Sequence, residues 1–248
     1  MSRASLDESR RAIQGVEGWL SDDQAGRLYR CAGELRPPAR IVEIGSFRGR
    51  SAIVLALGAP EGVRVTAIDP HAGSDRGPRE IEGYAAEATA DNRAFHANLT
   101  RAGLEEVVEH VRLPSLQALA AVDGPVALLY VDGAHRYRPA REDIARWGER
   151  VSAGGTLLVH DAWSAVGVTL ALIRLLAFGG RFRYVGRTGS LAEYRREEAG
   201  GRTRALNAIR QLAELPWFAR NLLVKLALVL GLRPLARVLG HRSGDWPY

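Results

Sequence analysis

The sequence predicts an α/β fold: a doubly wound, mostly parallel, Rossmann-like sheet of seven strands with helical extensions at both ends. The runs Val126–Val131 and Thr156–Val159 are almost continuously apolar, which is typical of strands covered by helices on both faces. Apolar runs of strand length also alternate with longer helical patterns across residues 40–178. Two final short strands, separated by Gly186–Ser190, predict an antiparallel hairpin at one edge of the sheet.

Local signals place each element in turn. Residues 1–36 predict two short helices, and Ser21 with the two aspartates that follow it caps the second. Pro37 and Pro38 then end the helix and force an extended entry into the first strand. The predicted strands are Arg40–Ile44, Arg64–Ile68, Val107–Arg112, Val126–Val131, Gly155–Val159, Arg181–Val185 and Leu191–Tyr194. The predicted helices are Gly49–Leu57, Tyr84–Ala102, Ser115–Ala121, Arg138–Arg150 and Val166–Phe178.

A chain of 248 residues suits one α/β domain with appendages. We expect an N-terminal helical extension at 1–36, a cofactor-binding domain at 37–198 and a basic, apolar helical tail at 199–248. Cys31 is the only cysteine, which excludes an intramolecular disulfide and a multi-cysteine zinc site. Residues 1–11 lack the apolar core of a signal peptide, so the expected location is the cytoplasm.

The net charge of +6 lies entirely in the tail. From residue 200 onward there are eight basic and two acidic residues, whereas the preceding residues are balanced. A basic tail on a neutral domain argues against nucleic acid as the substrate.

A glycine-rich turn follows the first predicted strand. Gly45 and Gly49 allow the backbone to turn sharply and approach a ligand, and the following helix offers unpaired N–H groups. Their G-x-x-x-G spacing differs from the G-x-G-x-x-G of a dinucleotide site, and a turn without a ligand is the alternative. Asp69 follows the second strand, where a carboxylate can accept hydrogen bonds from ribose hydroxyls or simply cap its loop.

Two further aspartates, Asp132 and Asp161, follow strands that should be neighbours, so both carboxylates are expected to face one crevice. Adjacent carboxylates repel in a low-dielectric site, so the pair needs a cation or a shared proton. A divalent ion such as Mg²⁺ fits; alternatively, each aspartate caps the helix after its strand. His135 is a candidate general base, because imidazole titrates near neutrality. A structural role is the alternative for His135 and for His160.

Four segments, in this order, resemble the class I S-adenosylmethionine-dependent methyltransferases. They are residues 41–51 (IVEIGSFRGRS), Asp69, residues 131–137 (VDGAHRY) and residues 154–161 (GGTLLVHD). The resemblance spans residues 38–195 and is strongest to small bacterial O-methyltransferases with VDGxHxY and GGxxxxHD motifs. It implies S-adenosylmethionine as the cofactor and a seven-stranded sheet whose last strand is antiparallel.

The same resemblance implies the contacts of individual residues with the cofactor. The methionine end of the cofactor would contact Glu43, Gly45, Ser46, Gly49 and Ser51. Asp69 would bind the ribose, Ser115 would lie near the adenine, and Asp132 would lie by the sulfonium. Metal-dependent relatives place an amide residue after the second metal aspartate, but this chain has Ala162 there. A third metal ligand would therefore come from His160 or water, or no metal binds. We expect His135 to remove the acceptor proton, and Asp132 and Asp161 to hold any Mg²⁺.

The apolar tail from Arg204 to Gly240 is too short and too charged to span a bilayer, which takes ~20 mainly apolar residues. Trp217, Phe218 and the apolar run around Lys225 predict a helix that lies in a membrane surface. Packing of the same face on its own domain, or on a second subunit in a homodimer, is the equal alternative. A membrane-bound tail would place the protein on the inner face of the cell membrane.

The expected acceptor is a hydroxyl of a saccharide, a glycolipid or a secondary metabolite. Two other functions stay open. An NAD(P)-dependent Rossmann oxidoreductase is disfavoured by the glycine spacing and by the lack of a Tyr-x-x-x-Lys pair, since Lys225 is the only lysine. A catalytically inactive membrane-associated adaptor is disfavoured by the intact cofactor motifs. The loop Gly73–Tyr84 is expected to form a mobile lid, and residues 1–19 to cover the active site or pack beneath it.

Overall fold

The computed structural model describes residues 3–73, 85–198 and 200–241. The strands in these residues are β1 Arg40–Ile44, β2 Arg64–Ile68, β3 Val108–Val111, β4 Val126–Val131, β5 Val151–Val159, β6 Phe182–Thr188 and β7 Leu191–Arg196. The helices are α1 Leu6–Ala12, α2 Asp22–Gly33, α3 Arg50–Gly58, α4 Ala85–Ala102, α5 Ser115–Ala118, α6 Tyr137–Gly148, α7 Val166–Leu172, α8 Gly201–Leu212, α9 Leu215–Val229 and α10 Arg233–Val238. A π-helical turn, Ile173–Ala177, continues α7.

The seven strands form one sheet in the order β3-β2-β1-β4-β5-β7-β6. Strands β1 to β5 are parallel, and β7 runs antiparallel between β5 and β6. The predicted doubly wound sheet with an antiparallel hairpin at its edge is therefore confirmed. The strand order reverses between β1 and β4, and ligands of such sheets bind beyond the carboxyl ends of the strands at this switch point.

Strands β1, β2 and β4 begin and end at the predicted residues. Strand β5 begins at Val151 rather than at the predicted Gly155, because Val151 pairs with Val126 beyond an irregularity in the β4–β5 ladder. Helix α5 ends at Ala118 rather than at Ala121. Pairing with β4, and not the local apolar pattern, sets the start of β5, whereas after α5 the chain continues in a turn in which the Ala121 N–H donates to the Ala118 carbonyl (3.0 Å).

The N-terminal extension packs against the domain. Ile13, Val16 and Leu28 are buried in the same core as Ile53 of α3. Arg50, at the start of α3, donates to the carbonyl oxygens of Ile13 (3.0 Å) and Val16 (2.7 Å). These contacts bring the segment between α1 and α2 to the carboxyl edge of the sheet.

The C-terminal helices pack in two different ways. Asn207 of α8 is buried; its Oδ1 accepts from the Tyr184 backbone N–H (2.7 Å) and its Nδ2 donates to the Phe182 carbonyl (3.1 Å). Helix α9 instead reaches the loop after β5, where Asn221 Nδ2 donates to the Trp163 carbonyl (3.3 Å). Within the described ranges, no helix has both the length and the apolar character needed to cross a bilayer.

The boundaries at 36/37 and 198/199 stay predictions, since both extensions contact the central domain. Residues 74–84 of the expected lid and residues 242–248 of the tail lie outside the described residues.

Candidate functional site

A broad crevice opens at the carboxyl ends of β1, β2, β4 and β5, and the β1–α3 turn forms part of its wall. Gly45 has φ +85°, and a Cβ there would lie 2.2 Å from the Asp132 carbonyl oxygen. Gly49 has φ +84° and is the N-cap of α3 without a side-chain cap; a Cβ there would come within 3.2 Å of the Phe95 ring. Both positions therefore require glycine, as the sequence predicted, although of the two only Gly45 lines the crevice in the described structure.

Asp69 joins the two loops that border the crevice. Its Oδ2 accepts from the backbone N–H groups of Ser46 (3.0 Å) and Phe47 (2.9 Å), and its Oδ1 accepts from that of His71 (2.8 Å). The carboxylate thus acts as the loop cap that was the alternative interpretation. A carboxylate has about four acceptor positions, so these three bonds leave capacity for one ribose hydroxyl.

Glu43 is completely buried and does not line the crevice, whereas Ser46 and Ser51 do. Neither carboxylate oxygen of Glu43 has a hydrogen-bonding partner among the described residues. Burial raises the pKa of Glu43 to about 7; the nearby Ser51 and Ser46 hydroxyls oppose part of the rise, and the Asp132 charge adds to it. A buried carboxyl behind the glycine turn fits a site for a cationic group such as the ammonium of S-adenosylmethionine.

Two carboxylates and two imidazoles meet where β4 and β5 end, and we call Asp132, His135, His160 and Asp161 the acid–imidazole cluster. His135 Nε2 lies 2.8 Å from Asp161 Oδ2. His160 Nδ1 lies 3.1 Å from Asp132 Oδ1 and 3.5 Å from Asp161 Oδ2. Tyr130 Oη donates to Asp132 Oδ2 (2.8 Å). The structure therefore brings the two aspartates into one crevice, as predicted.

His160 supplies the positive charge that the carboxylate pair needs. Burial alone disfavours a charged imidazole, but Asp132 and Asp161 outweigh it and hold the pKa of His160 well above its ordinary value. Burial likewise favours the neutral form of Asp161, yet His160 and His135 together hold its pKa well below the usual range. The sequence named His160 as a metal ligand or structural residue, and its position between the two carboxylates came only from the fold.

Asp161 is held in an unusual backbone conformation. Its φ is +54°, and that of Trp163 is +58°, a region that costs energy for residues with a side chain. The Ala162 N–H donates to the Ser190 carbonyl (2.9 Å), which ties this loop to the β6–β7 turn. Strain of this kind is common where a side chain must be aimed at a ligand.

Gln24 and Asp143 also belong to the site, and sequence reasoning missed both. Gln24 lies on α2. Its Oε1 is 3.4 Å from His160 Nε2, and its Nε2 donates to Ser190 Oγ (3.1 Å). Asp143 lines the crevice from α6; burial raises its pKa to about 6, partly opposed by a hydrogen bond from Ser115. The Ser115 hydroxyl, expected near the adenine, is thus directed to Asp143. A carboxylate on the apolar face of α6 was the available signal for Asp143.

The N-terminal extension forms one rim of the crevice. Glu17, Trp19 and Leu20 line it, and the Trp19 ring lies 5.2 Å from that of Phe47. Residues 17–20 therefore border the active site and do not pack beneath it.

A metal ion is compatible with the cluster. Asp132, His135 and Asp161 each offer a ligand atom within 4.8 Å of the others. The set contains an imidazole, which suits transition metals better than Mg²⁺. His135 is thus a further side chain that could complete the set, and the predicted alternatives, His160 or water, stay predictions.

Comparison with known proteins agrees with this fold. Residues 42–162 match a family described as a methyltransferase domain. Among solved structures, cofactor-bound Rv0187 from MTB aligns with a TM-score of 0.54 and 23% identity, over 78% of this chain and 89% of that one. A Bacillus cereus O-methyltransferase in complex with SAH aligns with a TM-score of 0.54 and 18% identity, over 77% of this chain and 90% of that one. A third structure is TomG from Streptomyces achromogenes, an O-methyltransferase of tomaymycin synthesis in complex with SAM. It aligns with a TM-score of 0.52 and 19% identity, over 79% of this chain and 89% of that one.

Proposed function

Residues 42–162 are a methyltransferase domain on the class I S-adenosylmethionine-dependent fold, and we propose that the protein transfers the methyl group to a hydroxyl oxygen. The observation that carries this proposal is the 2.8 Å contact between His135 Nε2 and Asp161 Oδ2 in the crevice that Gly45 and Asp69 border. The methyltransferase match removes the case for a nicotinamide-dependent oxidoreductase. An imidazole fixed by a buried carboxylate is a means of taking a proton from an attacking hydroxyl.

Methyl transfer to oxygen is an in-line displacement, so the residues must hold the acceptor and remove its proton. When bound, S-adenosylmethionine supplies the methyl group on a sulfonium with a neutral thioether as its leaving group. Asp161 fixes the His135 ring through Nε2. The acceptor proton would go to the other ring nitrogen, Nδ1. The Asp161 carboxylate then stabilises the imidazolium that forms.

The remaining site residues bind and position. Ser46 and Ser51 at the β1–α3 turn would contact the methionine end, with Glu43 behind them, while Asp69 would take a ribose hydroxyl and Ser115 would lie by the adenine. Asp132 is held by Tyr130 and His160 and would lie next to the sulfonium, where a negative charge favours binding.

A metal-assisted reaction is a second candidate, favoured by the convergence of three ligand atoms. Asp132, His135 and Asp161 would hold a divalent ion, which would lower the pKa of the acceptor hydroxyl and orient it. The two candidates use His135 differently, as proton acceptor or as ligand. Activity that survives EDTA and is not raised by Mg²⁺ or Mn²⁺ supports the first, and loss on chelation with recovery on adding the ion supports the second.

The rim of the crevice favours a saccharide-type acceptor. Trp19 and Tyr137 present aromatic surface there, and Arg136 and Glu142 provide charged groups. Few polar groups around an apolar surface fix the orientation of a ligand that carries several hydroxyls. A secondary metabolite or a glycolipid with such a ring is compatible with the same rim.

Two measurements test the proposal. Calorimetry with S-adenosylmethionine and, separately, NAD should show binding of the first alone. Extracts of cells with and without the gene, supplied with methionine carrying a carbon-13 methyl group, should differ by one metabolite heavier by a labelled CH₂. The carbon-13 chemical shift of the new methyl distinguishes oxygen from nitrogen or carbon as the acceptor. Absence of S-adenosylmethionine binding, or a label on nitrogen, would contradict O-methyl transfer.

A further inference from the structure

Helices α9 and α10 expose an unusually apolar surface. One side of α9 is buried through Asn221, Val224 and Ala227. The opposite side and α10 expose a set of large aliphatic residues, 36% to 83% accessible, which we call the leucine face: Leu222, Leu223, Leu226, Val229, Leu230, Leu232, Leu235 and Val238. Soluble proteins rarely expose so many adjacent apolar side chains unless the surface binds something.

The charge around the leucine face has one sign. Residues 200–241 contain seven basic side chains and one acidic side chain, Glu214. Glu214 is already paired with Arg187, whose Nε lies 2.7 Å from its Oε2. Arg233 and Arg237 are exposed on α10, beside Leu235 and Val238 of the leucine face. An anionic surface complements this arrangement.

The leucine face also lies near the candidate active site. Lys225 Nζ donates to the Ser164 carbonyl (3.0 Å), and Asn221 holds the Trp163 carbonyl (3.3 Å), so α9 is fixed to the loop that carries Asp161. The next residues of that loop, Ala165 and Val166, line the crevice. Helix α9, which carries most of the leucine face, therefore packs on the same loop that lines part of the crevice.

We propose that the leucine face docks on an anionic membrane surface and that the acceptor hydroxyl belongs to a molecule held in that membrane. The second part rests on the proposed function, whereas the first does not. A symmetric dimer through the same surface would bring two strongly basic tails together, which like-charge repulsion opposes. Lipid phosphates would instead favour each basic residue by roughly fivefold in affinity.

Vesicle flotation of the full chain tests the docking surface. The probes are vesicles of phosphatidylcholine alone and of phosphatidylcholine mixed with phosphatidylglycerol. We expect the protein to float with the mixed vesicles only, and less so as salt increases. The triple variant Leu223→Ser, Leu226→Ser, Val229→Ser should lower vesicle binding at least about tenfold, and Arg233→Gln with Arg237→Gln should lower it by about 25-fold.

Matched controls replace residues of the same type elsewhere on the surface. Val185→Ser on β6 and Arg64→Gln at the start of β2 should float like the unaltered protein. Flotation of the triple variant equal to that of the unaltered chain would overturn the proposal, as would no flotation at all. A dimer in light scattering that the triple variant dissociates, without flotation, would assign the leucine face to a second copy and overturn it too. If the triple variant fails to fold, the arginine variant decides.

S-adenosylmethionine binding in solution separates the two proposals. Cofactor binding without flotation overturns membrane docking and leaves the methyltransferase function intact. Flotation without cofactor binding overturns the methyltransferase function and leaves membrane docking intact. The rate of methyl transfer tests the acceptor. The triple variant should methylate a glycolipid in mixed vesicles at least about tenfold more slowly than the unaltered protein does, whereas both proteins should methylate a soluble hydroxyl acceptor at the same rate. Equal losses towards both acceptors would contradict a membrane-held substrate.

Discussion

His135 Nε2 lies 2.8 Å from Asp161 Oδ2, so a half-exposed imidazole is oriented by a carboxylate that is itself buried. Helix α6 and the whole of strand β5 lie between the two residues along the chain. They meet because β4 and β5 are parallel neighbours whose carboxyl ends share one edge of the sheet.

Replacing His135 should abolish most catalysis while sparing the cofactor site. His135→Ala is expected to lower kcat by about 10²–10⁴-fold, because proton removal from the acceptor hydroxyl then depends on water. The Kd for S-adenosylmethionine, measured by calorimetry, should change little, since the glycine turn is held by Asp69, which accepts from the Ser46 and Phe47 backbone N–H groups. His96→Ala, a histidine replaced on α4 outside the crevice, is the control and should keep full activity. A kcat within threefold of the unaltered enzyme would contradict the base role.

Glu43 should make the unliganded protein less stable as pH rises. Its folded-state pKa of about 7 lies above the ordinary value of 4.5, so its contribution is most favourable below 4.5 and is lost as pH rises through 7. Urea unfolding from about pH 5 to about pH 8 should show a fall of up to about 3 kcal/mol, reduced in Glu43→Gln. Asp143, with a pKa of about 6, acts in the same direction and remains in the variant.

The comparison with Glu43→Gln isolates this group. Identical slopes of stability against pH in the two proteins would show that Glu43 is ionised throughout. In the unaltered protein, binding of cationic S-adenosylmethionine should favour ionised Glu43 and release a proton near neutral pH. Calorimetry in buffers of different ionisation enthalpy measures that proton.

Gly45→Ala should be much more damaging than an alanine at another left-handed glycine. A Cβ at Gly45 would meet the Asp132 carbonyl oxygen at 2.2 Å, so backbone must move in addition to the cost of positive φ. We expect a loss of about 3 kcal/mol or more and no measurable cofactor binding. Gly124 has φ +78° with nothing within 4 Å of the added Cβ, so Gly124→Ala should cost only about 1–2 kcal/mol. Similar losses in urea unfolding at the two sites would argue against a close approach of the two loops.

Asn207 should be needed for stability, since α8 packs on the domain through it. Asn207→Leu removes the acceptor of the buried Tyr184 N–H and the donor to Phe182, at a cost of about 2 kcal/mol or more. Leu206→Ala, next to it but 54% exposed, should change the free energy of unfolding by less than about 0.5 kcal/mol. Urea titration of both variants measures this, and equal losses would mean that α8 is not anchored by Asn207.

The strands of the sheet could be predicted closely, because each appears in the sequence as a local apolar run. Gly45, Asp69, Asp132 and Asp161 could be chosen as site residues because each follows such a run, and topology then brings strand ends together. The roles of Glu43 and Ser115 were less accessible. Whether a side chain faces the crevice or the interior depends on the strand face and on neighbours such as Asp143.

By itself, the sequence determined the mostly parallel sheet, its antiparallel edge hairpin and the strand-end residues at one edge, since these depend on periodicity and on chain order. Only the tertiary structure decided that His160 lies between Asp132 and Asp161, that Gln24 reaches it from α2, and that α9 packs on the loop after β5. Those relationships depend on distances of a few ångströms between segments far apart in the chain, and such distances follow from packing, which no local pattern encodes.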